Sequence, residues 1–225
     1  MAVTNAHGTA KLALQGAQVL SWTPHGQLPV IWLSPVAKFA SGKLIRGGVP
    51  VCWPWFGPHP TQASFPGHGF ARIVPWELVE TQRLADSSTR IVFRLVQSEY
   101  TLAQWPHSTP VELYISVGVT LEIDLVTRNI GQSPVTIGGA LHSYFQVSDI
   151  RHVTIYGLDA CPYLDKVSAC QRKQQAGPVT ISAETDHIYL DAIADCLIED
   201  PVLNRRIRIG KRGSRSTVVW NPWVD

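Results

Sequence analysis

The segment from Ile45 to Arg72 reads IRGGVPVCWPWFGPHPTQASFPGHGFAR. It contains two arginines, two histidines and two tryptophans among several glycines and prolines. Proline and glycine weaken regular strands, so this composition is unlike that of a core strand. Aromatic faces suit the apolar faces of sugar rings, and paired guanidinium groups suit an anion. The segment therefore predicts the wall of a polar ligand pocket, with an aromatic-rich surface loop as the alternative.

The composition of the chain is that of a globular protein with a sizeable core. The chain has 225 residues, of which 45% are hydrophobic and 16% are charged, and its formal net charge is +2. So small a positive charge argues against a nucleic-acid partner. No apolar run reaches the roughly 18 residues of a membrane-spanning helix, and the N-terminus lacks a signal-peptide pattern. We expect a cytoplasmic monomer with neither a membrane nor a nucleic acid as its partner.

An alternation of apolar and polar residues recurs along the chain and predicts β-strands. In the longest such run, 111–127, every odd position from Leu113 to Leu125 is apolar, which predicts one long strand or a hairpin with a single buried face. Residues 98–104 allow at most a short helix, which Pro106 would end. We predict further strands at 12–15, 19–22, 29–33, 90–96, 134–138, 152–156, 197–199, 205–209 and 215–220. This pattern predicts an all-β protein, a large sandwich forming one domain over 1–225.

Three histidines have contexts that a ligand site could use. His68 lies between two glycines, His142 follows a strand-like run within GGALHSYF, and His187 follows ETD. A lone histidine is more often structural, so local context leaves both interpretations of His142 open. The separations of 74 and 45 residues between these histidines match no local metal motif, and we expect no metal site.

Other chemical signatures are missing from the sequence. There is no GxSxG elbow, P-loop or GxGxxG motif. No CxxC pair occurs, so we expect the cysteines to be free thiols, most of them buried, with Cys52 in a packing role. The four cysteines are Cys52, Cys161, Cys170 and Cys196.

A resemblance to a known family joins these separate observations. The chain resembles the glucose-6-phosphate 1-epimerase branch of the aldose 1-epimerase superfamily over nearly its whole length. This resemblance implies a galactose-mutarotase-like fold, a large antiparallel β-sandwich (supersandwich), and the interconversion of the α and β anomers of a phosphorylated hexose without a cofactor. The matching motifs, in chain order, are LQGAQVLSW at 14–22, IWLSP at 31–35, IRGGVPVCWPWFG at 45–57, HGFAR at 68–72, LHSYF at 141–145, ETD at 184–186 and VVWNPW at 218–223.

The resemblance also implies roles for individual residues. His142 matches the general acid that protonates the ring oxygen, and His68 matches an auxiliary contact to the sugar. Asp186 matches a carboxylate that binds sugar hydroxyls. Arg46 and Arg72 match basic pocket residues, which we predict hold the phosphate of a small-molecule sugar phosphate. The chain departs from the branch at position 187. The branch often has a basic residue there, whereas this chain has His187, which is charged only part of the time at pH 7.

A second departure concerns the general base. In the family, a stretch beyond the WNPW motif carries a glutamate with this role, whereas the sequence stops at Asp225 just after that motif. We do not assign the base to Asp225. We expect the natural chain to continue past Asp225, and the alternative is a natural variant that lacks the base. A carbohydrate-binding protein of the same fold, without turnover, is the alternative function.

Overall fold

The computed structural model describes residues 1–223, so Val224 and Asp225, with the expectations attached to Asp225, lie outside the described residues. The chain divides into two compact units, Met1–Gln146 and Val147–Asp225. Every strand ladder in the described residues is antiparallel, as the all-β prediction requires. The single domain over 1–225 stays a prediction. No helix within residues 1–223 has the length and apolar character needed to cross a membrane.

The first unit consists of three small sheets and one short helix. The sheets have the strand orders β1-β2-β3, β4-β9 and β5-β6-β7-β8. Ser98 caps the helix by accepting a hydrogen bond from the Thr101 backbone N–H, and the helix ends before Pro106 as predicted. The elements are β1 (Ala2–Asn5), β2 (Gly8–Leu12), β3 (Val19–Pro24), β4 (Val51–Cys52), β5 (Trp76–Arg83), β6 (Thr89–Leu95), α1 (Glu99–Gln104), β7 (Val111–Val117), β8 (Leu121–Thr127) and β9 (Ala140–Leu141).

The run of alternating apolar residues forms the hairpin β7–β8. Leu113 pairs with Leu125 and Ile115 with Ile123, so the odd positions share one face of the sheet. That face is buried along β7 and only partly buried along β8. The hairpin prediction is therefore confirmed, and its buried face joins a core that also contains the tryptophans at positions 53, 55 and 76.

The second unit has two four-stranded sheets, with the orders β13-β10-β15-β16 and β12-β11-β14-β17. Its own core contains Leu158, Ile181, Tyr189 and Val219. The elements are a 3₁₀ turn (Ile150–His152), β10 (Thr154–Tyr156), β11 (Pro162–Asp165), β12 (Gln171–Gln174), β13 (Val179–Thr180), β14 (Thr185–Tyr189), β15 (Cys196–Asp200), β16 (Arg205–Ile209) and β17 (Thr217–Asn221).

Two of the predicted strands are wrong, and a third is reduced to isolated pairs. Residues 134–138 form no strand; the Gly138 backbone N–H instead donates to the Pro54 carbonyl at 2.9 Å. Of the strand predicted at 12–15, only Leu12 is in a strand, as the last residue of β2. Residues 13–18 form the turn into β3, in which the Ala13 N–H donates to the Gln18 carbonyl at 2.9 Å. Residues 29–33 make only single bridges, through Ile31 and Leu33.

Candidate active site

The polar site in the first unit is built where three chain segments meet. The Trp32 N–H donates to the Tyr144 carbonyl at 2.9 Å, Tyr144 N–H to the Gly48 carbonyl at 2.9 Å, and Gly48 N–H to the Trp32 carbonyl at 2.7 Å. The His142 N–H donates to the Pro50 carbonyl at 3.0 Å and extends the pairing of β4 with β9. Three motifs that are distant in sequence therefore share one backbone network.

Gly48 is needed for this close meeting of segments. Its φ is +70°, in the left-handed region that favours glycine. A Cβ at this position would lie 2.3 Å from the Val19 carbonyl oxygen, which is far inside van der Waals contact. The glycine pair in the IRGG motif thus serves the path of the backbone, and it places Arg46 beside the LHSYF segment.

A cavity of about 230 Å³ lies against this network. Arg46 and Arg72, the two arginines of the Gly/Pro-rich segment, both line this cavity, together with Tyr144. Neither His68 nor His142 is among its lining residues. Among the described residues, the lining consists of Gln18, Leu44, Ile45, Arg46, Pro50, Arg72 and Tyr144. No acidic side chain of residues 1–223 stands in this lining, and its two arginines suit an anion.

Arg72 keeps hydrogen-bonding capacity in this wall. Its Nη2 donates to the Gly67 carbonyl at 2.7 Å. Its Nε is buried and has no hydrogen-bond partner among residues 1–223. Arg72 therefore brings a positive charge to this wall while its guanidinium is anchored to the backbone of its own loop.

His142 lies next to the cavity through its contact with Tyr144. The two rings stack with their centroids 4.6 Å apart and their planes 6° apart, and Tyr144 also contacts Trp32 at 5.9 Å. His142 is partly buried. The imidazole is therefore held in a fixed orientation beside the cavity wall, as a proton donor requires.

His68 is ordered by its own loop. Its Nδ1 accepts a hydrogen bond from the Gly57 N–H at 3.1 Å, and its own N–H donates to the Gly57 carbonyl at 2.6 Å. The ring meets Phe56 edge-on at 4.7 Å. Because Nδ1 is the acceptor, the neutral ring carries its proton on Nε2.

Cys52 is a packing residue. Its side chain is fully buried, and burial raises the pKa of its thiol to about 11 although the charge of Arg72 opposes this. The thiol is therefore protonated at neutral pH and a poor nucleophile. The cysteines are free, as predicted, but only Cys52 and Cys196 are buried, whereas Cys170 is exposed.

Asp186 belongs to the second unit, on β14. Its Oδ2 accepts a hydrogen bond from the Lys166 Nζ at 2.5 Å, and its side chain is 19% exposed. Its other carboxylate oxygen has no hydrogen-bond partner among the described residues. The carboxylate is thus held by a cation and retains acceptor capacity.

His187 follows Asp186 on β14 and so points to the opposite face of that sheet. Its Nε2 lies 3.8 Å from the Asp165 carboxylate, and its ring packs 4.4 Å from Tyr163. Burial lowers the pKa of His187, even though Asp165 opposes the shift. The residue is therefore neutral near pH 7, and it is not a cation on the Asp186 face.

Sequence reasoning missed three polar groups of these sites. The LHSYF motif predicts no role for Tyr144, and the sequence predicts none for Gln18 or Lys166. Tyr144 and Lys166 are recognised as site residues only by their positions in the fold. Gln18 also lies within the LQGAQVLSW motif, which is the one sequence signal for it.

An antiparallel β fold with an arginine-lined cavity and an oriented imidazole beside it defines a class of protein whose site suits a small anionic ligand. The chain belongs to the aldose 1-epimerase family, which matches residues 1–225. It is therefore an enzyme of the epimerase type, acting at carbon 1 of an aldose.

Individual relatives agree with this assignment. A “Putative glucose-6-phosphate 1-epimerase” of Escherichia coli K12 is 44% identical over 214 residues, which cover 95% of this chain and 70% of that protein. A crystal structure of a “putative mutarotase (YeaD)” from Salmonella typhimurium superposes with a TM-score of 0.92 at 38% identity, covering 99% of this chain and 73% of that one. A galactose mutarotase-like protein from Lactobacillus casei, at 14% identity and a TM-score of 0.76, covers 100% of this chain and 83% of that one and shares the fold. The predicted fold class is confirmed.

Proposed function

We propose that this chain interconverts the α and β anomers of a hexose 6-phosphate, with glucose 6-phosphate as its substrate. Membership of the aldose 1-epimerase family supports the reaction at carbon 1. The name of the Escherichia coli relative and the charge of the cavity both support a phosphorylated sugar.

The observation that carries the proposal is the pair of guanidinium groups in one cavity. Arg46 and Arg72 both line the cavity, and no acidic side chain of residues 1–223 lines it with them. A phosphoryl oxygen can accept charge-assisted hydrogen bonds from arginine side chains in such a wall. Such bonds are about twice as strong as those that a neutral sugar hydroxyl could offer.

The reaction needs one proton delivered to the ring oxygen and one removed from the anomeric hydroxyl. We assign delivery to the imidazole of His142. The bond between C1 and the ring oxygen then breaks, C1 becomes an aldehyde carbon, and rotation about C1–C2 presents its other face. Closure with both proton transfers reversed gives the other anomer, so no cofactor is required. We assign the general base to no described residue.

Two further residues are proposed to hold the sugar. We assign the ring of His68, which Gly57 orients through Nδ1, to an auxiliary contact with the sugar. The carboxylate oxygen of Asp186 that Lys166 leaves unbonded suits a sugar hydroxyl as its donor.

Turnover is tested on freshly dissolved α-glucose 6-phosphate by polarimetry or NMR. We expect the 225-residue chain to bring the anomers to equilibrium faster than the same buffer without protein. If the chain binds glucose 6-phosphate but the rate equals that of the buffer, it is a carbohydrate-binding protein without turnover.

The phosphate assignment is tested separately with Arg72→Ala. We expect it to weaken the binding of glucose 6-phosphate by about tenfold or more, because a charge-assisted hydrogen bond is lost, and to leave glucose binding nearly unchanged. Arg128→Ala, which removes an exposed arginine outside the cavity lining, is the matched control. Equal weakening of both ligands would show that Arg72 is not a phosphate ligand.

A further inference from the structure

Gln18 is a buried polar residue in the wall of the arginine-lined cavity. It is only 1% exposed, and it lines the cavity with Arg46 and Arg72. Burying an amide costs free energy unless its polar atoms are hydrogen-bonded. The partners of Gln18 therefore indicate what the residue does.

The amide nitrogen of Gln18 donates to two backbone carbonyls, that of Ile45 at 3.3 Å and that of Gly47 at 2.6 Å. These carbonyls belong to the residues on either side of Arg46. The carbonyl of Arg46 itself accepts the Ser34 N–H at 3.1 Å. Three consecutive carbonyls are therefore fixed, two of them by one side chain, and the direction in which Arg46 leaves the backbone is fixed with them.

We infer that Gln18 is a positioning residue for Arg46 and thereby for recognition of the phosphate. The inference rests on the proposed function, in which Arg46 binds the phosphate group. Arg46 is exposed and has a long side chain, and an ordered backbone limits the directions that this side chain can take. A guanidinium whose position is set in advance loses less free energy on binding than one that must first be ordered.

The chemistry of the side chain fits this role. An amide supplies two N–H donors from one nitrogen, which matches two carbonyl acceptors. A glutamate of the same length would supply no donor when ionised, and it would place a negative charge beside the phosphate. Methionine has a similar length but makes neither hydrogen bond.

The test measures dissociation constants of the 225-residue chain for glucose 6-phosphate and for glucose by ligand-observed NMR. We expect Gln18→Met to weaken glucose 6-phosphate binding about tenfold while glucose binding changes less than about twofold. Gln18→Glu is expected to weaken glucose 6-phosphate binding further. Reporting the ratio of the two constants separates this effect from a general loss of folded protein.

The matched control is Gln15→Met. Gln15 also holds loop backbone, since its Nε2 donates to the Lys43 carbonyl at 2.6 Å and its Oε1 accepts the Gly42 N–H at 2.9 Å, but it does not flank Arg46. We expect this control to leave the ratio unchanged.

A double variant decides whether Gln18 acts through Arg46. In an Arg46→Ala background, Gln18→Met should leave the ratio as it is, because the group that it positions is gone. An unchanged tenfold effect in that background, or equal weakening of both ligands by Gln18→Met alone, would overturn the inference. If Arg46→Ala alone does not change the ratio, Arg46 does not bind the phosphate. The inference is then wrong because of the role proposed for Arg46, and not because Gln18 fails to position it.

Discussion

The imidazole of His142 stacks on Tyr144 with ring planes 6° apart, in a segment whose backbone is bonded to the IRGG motif. If this imidazole is the general acid, His142→Gln should lower the rate of anomerisation by about 10²- to 10⁴-fold. Binding of glucose 6-phosphate should change little, because the arginine-lined cavity does not include His142. Stopped-flow polarimetry and NMR titration measure the two quantities.

The control for this variant is His25→Ala, which removes an exposed histidine outside the cavity lining. It should keep full turnover. Full turnover by the His142→Gln protein would refute the assignment of the acid.

At the scale of elements, the alternation of apolar and polar residues predicts a strand correctly where that strand packs one face on a core. The 111–127 run and the strand at 205–209 are found where the sequence predicts them, because their apolar positions repeat every two residues. The edge strand β12, QRKQ, is wholly exposed and has no such pattern, so it was missed. The residues at 134–138 look strand-like, but they are mostly exposed, and Gly138 is bonded to the Pro54 carbonyl instead of to a neighbouring strand.

The residues of the candidate site also differ in whether the sequence alone predicts them. Arg46 and Arg72 could be predicted as pocket residues because they lie within one Gly/Pro-rich segment. The stacking of His142 on Tyr144 and the hydrogen bonds of Gln18 could not, because they depend on contacts between segments far apart in sequence. Side chains that meet only through the fold leave no local pattern.

The loop that carries His68 and Arg72 depends on close packing at Gly69. This glycine has a φ of +74°, and a Cβ there would lie 1.9 Å from the Trp53 carbonyl oxygen, which accepts the Ala71 N–H. Gly69→Ala should therefore combine backbone strain with a clash and lower the free energy of unfolding by about 3 kcal/mol or more. Urea unfolding measures the loss.

Gly57→Ala separates these two contributions. Gly57 has a φ of +81°, but a Cβ there would have open space around it to at least 4 Å, so only strain applies, about 1 kcal/mol. Equal losses in the two variants would show that the contact with Trp53 does not constrain the loop.

At the scale of the whole molecule, the proposed roles are spread over both units. The cavity arginines, His68 and His142 lie in residues 1–146, whereas Asp186 lies in residues 147–225. The units also differ in their buried charges. Among the described residues, the two buried carboxylates, Asp165 and Asp200, both belong to the second unit.

Both carboxylates are stabilised in their ionised forms. The hydrogen bond from Lys173, opposed by burial and assisted by Ser168, lowers the pKa of Asp165 to about 2. Burial alone would raise the pKa of Asp200, but hydrogen bonds from Ser148 and Leu203 lower it overall. Carboxyl groups with lowered pKa values stabilise the fold above their unfolded pKa of about 4, and this stabilisation is lost as the pH falls toward 2.

Acid should therefore loosen the second unit before the first. We expect amide hydrogen exchange, corrected for its intrinsic pH dependence, to show a larger loss of protection in residues 147–223 than in 1–146 between pH 6 and pH 3. Asp165 should account for about 1 kcal/mol of this loss, allowing for the solvent that reaches Lys173.

Asp165→Asn lacks the titrating group, so its second unit should already be less protected at pH 6 and should lose less on acidification. Equal losses in the two units, or a loss that Asp165→Asn leaves unchanged, would show that these carboxylates do not control the acid response.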